Sequence, residues 1–235
     1  MVPIIAALLF IILPILQFTF PPKLQTTQTV RVINKQIKHN RQLTFSLGKT
    51  GSFKINPIEF PHLGPLNAPT TFVKLYDYTC QHCRAQSAAL LPIQEKDLDQ
   101  ILIILMPTPL NSNCSPLIQT TLEQHKYACE LAKLSLAVYR AMPQQYEQYH
   151  HFLMQGQSPP SPEKARAFAE SLIGINNLNI ALKHPYIAQQ LNRSTELYRM
   201  IDSPLPILFT GTHILKGFNP KIDLKSILKQ YSTLQ

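Results

Sequence analysis

Two cysteines separated by two residues are the part of this chain best suited to do chemistry. Cys80 and Cys83 lie in the segment Asp-Tyr-Thr-Cys-Gln-His-Cys-Arg, residues 77–84. This spacing lets one sulfur attack a disulfide while the other resolves the mixed disulfide that forms. We predict that Cys80 is the attacking thiolate and Cys83 the resolving thiol. His82 is predicted to stabilise that thiolate by charge or by a hydrogen bond, which would make the disulfide more oxidising.

The residues around this pair predict the elements that position it. Residues 71–78 form an apolar run that predicts a strand leading to Cys80. A helix is predicted to begin at Cys80, with apolar residues on one side until Pro92, which should kink or end it. Unpaired N–H groups at the start of this helix, together with the helix dipole, would favour the thiolate of Cys80.

The downstream sequence alternates between strand and helix patterns. Residues 100–106 are a continuous apolar run and predict a central strand covered on both faces. Residues 112–202 then show helical spacing over about 90 residues. The predicted helical segments are residues 122–138, 143–153, 161–174 and 185–201. Strands at 206–210 and 213–216, turning at Gly211 and Thr212, precede a last helix at 221–231 capped by Asn219.

The N-terminal region is predicted to be a targeting segment followed by a linker. Residues 2–20 are an uncharged apolar run, close to the roughly 20 residues that cross a bilayer. We therefore assign residues 1–22 to a signal or membrane anchor, and favour an uncleaved anchor because no small-residue cleavage site follows. Residues 23–58 are predicted to be a basic linker with weak strand content and a possible hairpin around Gly48 and Gly51.

The charge distribution argues against nucleic-acid binding. The net charge is +9, but residues 1–58 carry seven basic and no acidic residues. The remainder carries 15 basic and 13 acidic residues and has no basic stripe, so we expect no nucleic-acid partner. The basic cluster after the apolar run indicates a cytoplasmic C-terminal part, whereas a stable second disulfide indicates an oxidising compartment. We give the cysteines more weight and predict a periplasmic or otherwise extracytoplasmic protein anchored through residues 2–20.

The order strand, helix, strand, helical block, two strands and helix is that of an α/β thioredoxin fold with an inserted helical domain. Over residues 59–235 the chain resembles the DsbA-like family of exported thiol–disulfide oxidoreductases. The resemblance rests on residues 77–84, on Ala-Cys-Glu-Leu-Ala at 128–132 and on Ser-Pro-Leu-Pro-Ile-Leu-Phe-Thr-Gly at 203–211. Gln81 stands where the family usually has a proline, so the redox potentials of relatives do not transfer to this chain.

The resemblance implies further site residues and partners. Pro206, preceded by Leu205, would be a cis-proline beside the active cysteines, and would present a strand edge to which an unfolded substrate can pair. The implied substrates are exported proteins with cysteines, and a membrane redox partner would reset the Cys80–Cys83 pair. No cofactor is implied beyond this redox-active disulfide. The function predicted is an extracytoplasmic oxidoreductase that acts as an oxidase.

The other two cysteines are predicted to have a structural role. Cys114 lies in the loop before the inserted helices and Cys129 in the first of them. A disulfide between them would close a loop of about 15 residues and contribute on the order of 3 kcal/mol. A second redox relay to Cys80 and Cys83 is an alternative, and His125 with Cys129, spaced i, i+4, could also ligate a metal. His150 and His151 are interpreted as ordinary surface or groove residues.

Three other functions are compatible with the same residues. A reductase or isomerase of this fold would differ only in redox potential. A zinc- or copper-binding protein would use Cys80, Cys83 and His82 as ligands, although a second Cys-x-x-Cys or a His-x3-His is missing. A redox-inert thioredoxin-like binding module would use the fold without the sulfur chemistry.

Overall fold

The described part of the chain begins just before the first strand. The computed structural model describes residues 42–48, 51–96, 99–210, 213–221, 223–226 and 228. The predicted anchor at residues 1–22 and the linker up to residue 41 lie outside these residues. In the described ranges there is no helix both long and apolar enough to span a membrane.

A five-stranded sheet forms the centre of the fold, and a hairpin of β1 (Leu43–Ser46) and β2 (Ser52–Ile55) precedes it in the sequence. The strands of the sheet are β3 (His62–Leu63), β4 (Thr70–Tyr76), β5 (Ile101–Pro107), β6 (Ile207–Thr210) and β7 (His213–Lys216), and they lie in the order β3, β5, β4, β6, β7. The middle strand, β4, is parallel to β5 and antiparallel to β6. Every residue of β4 and β5 is buried. Both sequence runs are therefore strands, as predicted, and the interior position predicted for residues 100–106 holds for β4 as well, because a strand covered on two faces needs apolar residues at almost every position.

Helix α1 (Gln81–Lys96) connects β4 to β5 and starts immediately after Cys80. It continues through Pro92 instead of ending there. Leu90 and Ile93, on either side of the proline, are buried in the core. This packing outweighs the local preference of proline, since tertiary contacts supply most of the stability of a helix in a protein.

Five helices lie between β5 and β6. They are α2 (Ala128–Ala141), α3 (Tyr146–Met154), α4 (Pro162–Ile173), α5 (Ile175–Leu182) and α6 (Tyr186–Ile201). Helix α4 is capped by Ser161, the first residue of its predicted segment, since Ser161 Oγ accepts a hydrogen bond from the N–H of Lys164 at 3.4 Å. Helix α5 was not predicted. Gly174, with φ of 80°, is both the last cap of α4 and the first cap of α5. A glycine in the sequence indicates the end of a helix, so it did not indicate that another helix begins at the same residue.

The hairpin that precedes the sheet in the sequence packs against it. Strands β1 (Leu43–Ser46) and β2 (Ser52–Ile55) pair antiparallel, which confirms the possible hairpin. The ring of Phe53 stacks on Phe45 at 5.1 Å and meets Phe209 of β6 edge-on at 4.9 Å. These aromatic contacts join the hairpin to the sheet. The hairpin residues belong to the stretch 23–58 that the sequence analysis predicts to be a linker.

The C-terminal elements follow the predicted order with a different cap. Strands β6 and β7 pair antiparallel, while Gly211 and Thr212 lie outside the described residues. Asp223 Oδ1 accepts hydrogen bonds from the N–H groups of Lys225 and Ser226, at 3.1 and 3.2 Å. The helical turn at residues 224–226 is therefore capped by Asp223 and not by Asn219.

Candidate active site

The two cysteines lie where β4 passes into α1. The N–H of Cys83 donates a hydrogen bond to Cys80 Sγ at 3.3 Å. Both are free thiols, and Cys80 is 7% exposed whereas Cys83 is fully buried. Of the two sulfurs, Cys80 is therefore the one that an incoming disulfide or thiol can reach.

The surroundings shift the two thiol pKa values in opposite directions. The pKa of Cys80 is lowered chiefly by the hydrogen bond from the Cys83 thiol, with further help from the N–H groups of Cys83 and His82. Burial and the negative charge of Asp77 oppose this shift. The pKa of Cys83 is raised well above its ordinary value by burial and then by its interaction with Cys80. Since the thiolate is the nucleophile, this asymmetry is what the predicted division of roles requires.

A comparison of two variants tests the cause of the low Cys80 pKa. Cys83→Ala removes the donor that stabilises the Cys80 thiolate, so the pKa of Cys80 should rise. Cys83→Ser keeps an O–H donor and should preserve more of the shift. The pH profile of Cys80 alkylation measures both, because the reactive thiolate disappears as the pH falls through the pKa. Identical profiles for the two variants would show that this hydrogen bond does not set the pKa.

The side chain of His82 makes no hydrogen bond to the sulfurs, and it is exposed. Its backbone N–H, by contrast, contributes to the lowered pKa of Cys80. The predicted role of the imidazole stays a prediction. Within the described residues, no group of three or more His, Cys, Asp or Glu side chains is arranged to hold a metal ion.

The segment before β6 faces Cys80. The peptide bond between Leu205 and Pro206 is cis, as the resemblance implied. The carbonyl oxygen of Leu205 lies 4.0 Å from Cys80 Sγ, as an acceptor for its thiol. The carbonyl of Pro206 in turn accepts a hydrogen bond from the N–H of Gly217 at 2.8 Å. The fold thus brings two segments that are 125 residues apart together at the reactive sulfur.

A buried polar chain beside the cysteines was not predicted from the sequence. Asp77 Oδ1 accepts hydrogen bonds from the N–H and the hydroxyl of Thr79, both at 2.6 Å. Its Oδ2 accepts one from the N–H of Leu110 at 2.6 Å. The Thr79 hydroxyl oxygen lies 2.6 Å from His125 Nδ1. Because the hydroxyl proton is directed to Asp77, His125 Nδ1 must be the donor in that contact.

This chain of contacts fixes the residues just before Cys80. Burial raises the pKa of Asp77, although its three N–H and O–H donors act in the opposite direction. Its charge also raises the pKa of Cys80. Asp77 therefore holds the loop in place but destabilises the Cys80 thiolate. Thr79 and His125 are 46 residues apart, and no spacing in the sequence connects them.

Cys114 and Cys129 form a disulfide, the pairing that was predicted. Their Cα atoms are 5.9 Å apart. The suggested metal pair of His125 and Cys129 is wrong, because the sulfur is bonded to Cys114 and His125 contacts Thr79. Asn111 connects the same two segments by hydrogen bonds, since its side-chain amide donates to the backbone carbonyls of His125 and Lys126, each at 3.0 Å. The loop that carries His125 is therefore held covalently and by hydrogen bonds.

Removing this disulfide separates a structural role from a redox role. The Cys114→Ala/Cys129→Ala variant should lose about 3 kcal/mol of unfolding free energy, because its unfolded chain regains loop entropy. Urea unfolding of this variant and of the unmodified protein measures the loss. The folded variant should still exchange disulfides through Cys80. Loss of exchange in the folded variant would instead indicate that the pair relays electrons to the Cys80–Cys83 pair.

Arg84, in the first turn of α1, anchors the active-site helix. It is 3% exposed, and its guanidinium donates to the backbone carbonyls of two other segments. The acceptors are the carbonyl oxygens of Tyr78 (3.0 Å), Leu153 (2.6 Å), Gly156 (3.1 Å), Ser158 (2.9 Å) and Gln155. Burial lowers the pKa of Arg84. A charged residue next to Cys83 invites a catalytic interpretation, but these contacts make Arg84 a positioning residue.

A second buried polar cluster surrounds Tyr78, two residues before Cys80. The hydroxyl of Tyr78 contacts Ser135 Oγ at 2.6 Å and His150 Nδ1 at 2.9 Å, and the hydroxyl of Tyr76 lies 3.0 Å from it. His150 is 3% exposed and lines a cavity, so of the two predicted positions, surface or groove, the surface position is wrong. Its pKa lies well below the ordinary value because of burial, with smaller contributions from Lys74 and His151. His150 is therefore a neutral member of the interior at pH 7.

Comparison with solved structures identifies the fold as that of DsbA-like proteins, a thioredoxin fold with a helical insertion. The thiol–disulfide exchange protein α-DsbA2 of Wolbachia pipientis has a TM-score of 0.60 and 24% identity, over 75% of this chain and 87% of that protein. Proteus mirabilis ScsC in a compact conformation has a TM-score of 0.60 and 20% identity, over 88% of each chain. A periplasmic thioredoxin-like protein of Salmonella enterica serovar Typhimurium has a TM-score of 0.57 and 18% identity, over 75% of this chain and 91% of that protein.

The resemblance proposed from the sequence is thus confirmed at the level of the fold. No protein-family model matches the chain, and a search of curated proteins finds no match. At these identities, the solved structures establish the architecture that surrounds Cys80 and Cys83.

Proposed function

We propose that this protein is a thiol–disulfide oxidoreductase that introduces disulfides into exported proteins through the Cys80-Gln-His-Cys83 pair. The observation that carries the proposal is the asymmetry of the two sulfurs. Cys80 is the more accessible and has the lowered pKa, whereas Cys83 is buried and has the raised pKa. The fold supports the same proposal, since the similar Wolbachia protein is described as a thiol–disulfide exchange protein.

The proposed reaction begins with the Cys80–Cys83 disulfide. A substrate thiolate attacks Cys80 Sγ, the disulfide breaks, and Cys83 leaves and takes up a proton. A second substrate thiolate then attacks the substrate sulfur of the mixed disulfide and releases Cys80 as a thiolate. Two electrons pass from the substrate to the protein, which ends as the dithiol, and the substrate gains one disulfide. A membrane redox partner would return the pair to the disulfide form.

Oxidase activity is favoured over reductase activity by the state of Cys80 after the reaction. The released sulfur is stabilised as a thiolate by the Cys83 thiol and by backbone N–H groups. A stabilised thiolate lowers the free energy of the reduced form, which makes the disulfide a stronger oxidant. A reductase of the same fold would need a less strongly stabilised thiolate at this position.

The segment at Leu205 and Pro206 is proposed to hold the substrate. Its position 4.0 Å from Cys80 Sγ supports this assignment, because an extended peptide paired there would bring its cysteine to the reactive sulfur. The location proposed is extracytoplasmic, with attachment to the membrane through residues 2–20. The Cys114–Cys129 disulfide supports an oxidising compartment, in which such bonds persist.

A single-turnover transfer tests this function. The oxidised protein is mixed with a reduced, unfolded protein that carries two cysteines, and disulfides are counted by the mass shift on alkylation. We expect one disulfide to pass to the substrate for each molecule that becomes reduced. A chain that transfers none, and that instead retains stoichiometric zinc or copper through Cys80, would be a metal-binding protein and not an oxidoreductase.

A further inference from the structure

A cavity of about 460 Å³ lies between α1, α3 and the β3–β5 side of the sheet. Its wall is mostly aliphatic and includes Leu90, Ile103 and Leu105. The exposed residues Ala88 and Gly156 also line it, so it reaches the surface. The lining residues do not include the two free cysteines or Pro206, so the cavity is distinct from the redox site, although Cys83 and Cys80 act electrostatically on Lys74 and raise its pKa. Its volume is in the range of small-molecule sites, about 300 to 1,000 Å³.

Lys74 supplies a buried positive charge to the wall of this cavity. The residue is 1% exposed and lies in the middle of β4. Its ammonium donates to Ser87 Oγ at 2.5 Å and lies 5.6 Å from the centre of the Tyr76 ring. Burial lowers the pKa of Lys74 to about 8, so the ammonium is still the major form at pH 7.

The charge of Lys74 has no acidic partner in the described part of the chain. None of the ion pairs formed by the described residues includes it. Ser87 uses one of the three N–H donors of the ammonium. A buried charge is costly unless it is paired and hydrogen-bonded, and the neutral His150 on the α3 side supplies no negative charge.

We propose that this cavity binds a small carboxylate with an apolar body, such as a medium-chain fatty acid. The carboxylate would pair with the Lys74 ammonium and accept the Ser87 hydroxyl, while the apolar chain would contact Leu90, Ile103 and Leu105. Both parts of the ligand would contribute to binding, since the carboxylate neutralises a desolvated cation and the apolar chain is removed from water. Binding of the carboxylate takes no part in the sulfur chemistry, although the charge of Lys74 also lowers the pKa of Cys83.

Calorimetric titration of the full chain with octanoate and with octanamide tests the proposal. The two probes have nearly the same shape, but only octanoate is charged. Octanoate should bind roughly 10- to 100-fold more tightly than octanamide, the range expected for a hydrogen bond between charged groups. Lys74→Met, which keeps the volume of the side chain, should reduce octanoate affinity by a similar factor. Lys133→Met, at an exposed position on α2, should leave the affinity unchanged.

Several results would overturn the proposal. It fails if octanoate does not bind at millimolar concentration, if octanamide binds equally well, or if Lys74→Met binds octanoate like the unmodified protein. Should Lys74→Met not fold, Ser87→Phe provides a second test, because its ring would fill the polar end of the cavity. Octanoate binding that survives Ser87→Phe contradicts the site. Because binding is measured without any thiol reagent, its failure would leave the proposed redox function unaffected.

Discussion

Cys80→Ser should abolish disulfide transfer completely, whereas Cys83→Ser should stop the reaction halfway. A serine hydroxyl at position 80 cannot form the mixed disulfide. With Cys83→Ser, Cys80 still attacks a substrate disulfide, but no second thiol is present to resolve the product. Non-reducing electrophoresis after reaction with a disulfide-bonded substrate should therefore show a stable covalent complex for Cys83→Ser and none for Cys80→Ser.

The Cys114→Ala/Cys129→Ala protein is the matched control for this pair of variants. It lacks the two disulfide-bonded cysteines, but it should transfer disulfides because Cys80 and Cys83 are intact. A covalent complex that forms with Cys80→Ser, through Cys83, would reverse the assigned roles. Such a result would mean that the buried sulfur of Cys83 becomes accessible in solution.

Arg84→Met should cause the largest loss of stability among single changes near the site. The substitution removes the donor from five backbone carbonyls, of which those of Tyr78 and Leu153 are in buried contacts. One unsatisfied buried polar group costs about 1 to 3 kcal/mol, so with two such groups the free energy of unfolding should fall by about 2 to 6 kcal/mol. Urea unfolding followed by circular dichroism provides the measurement.

Arg199→Met is the matched control for Arg84→Met. Arg199 is exposed and pairs with Glu196 three residues earlier on the same helix. Exposed pairs of this kind contribute little, so its loss should change stability by no more than about 0.5 kcal/mol. Equal effects of the two substitutions would show that the carbonyl contacts of Arg84 do not hold α1 in place.

Local patterns in the sequence were sufficient for most of the architecture. The apolar runs of β4 and β5 are interior strands because burial on both faces leaves little choice of residue. The Cys80–Cys83 spacing and the helix that follows it are likewise local features. Helix α5 escaped prediction because Gly174 carries the signal of a helix end and hides the start of the next helix.

The long-range part of the site could not be predicted from such patterns. Thr79 meets His125 only because the disulfide-bonded loop returns to β4, and Arg84 finds its acceptors in a segment about 70 residues away. Lys74 interrupts an apolar strand by a single residue, and the sequence does not indicate that a cavity lies beside it. These contacts depend on tertiary packing, which brings together residues that no periodicity relates.

The redox equilibrium of the Cys80–Cys83 pair with glutathione tests the central claim most directly. The pair is equilibrated at fixed ratios of reduced to oxidised glutathione and quantified by alkylation, because the chain has no tryptophan to report the change by fluorescence. We predict a reduction potential closer to about −120 mV, the value of a strong oxidant whose reduced form is stabilised, than to that of a reductase. A value near about −270 mV would contradict this, because a pair with that potential donates electrons and acts as a reductase.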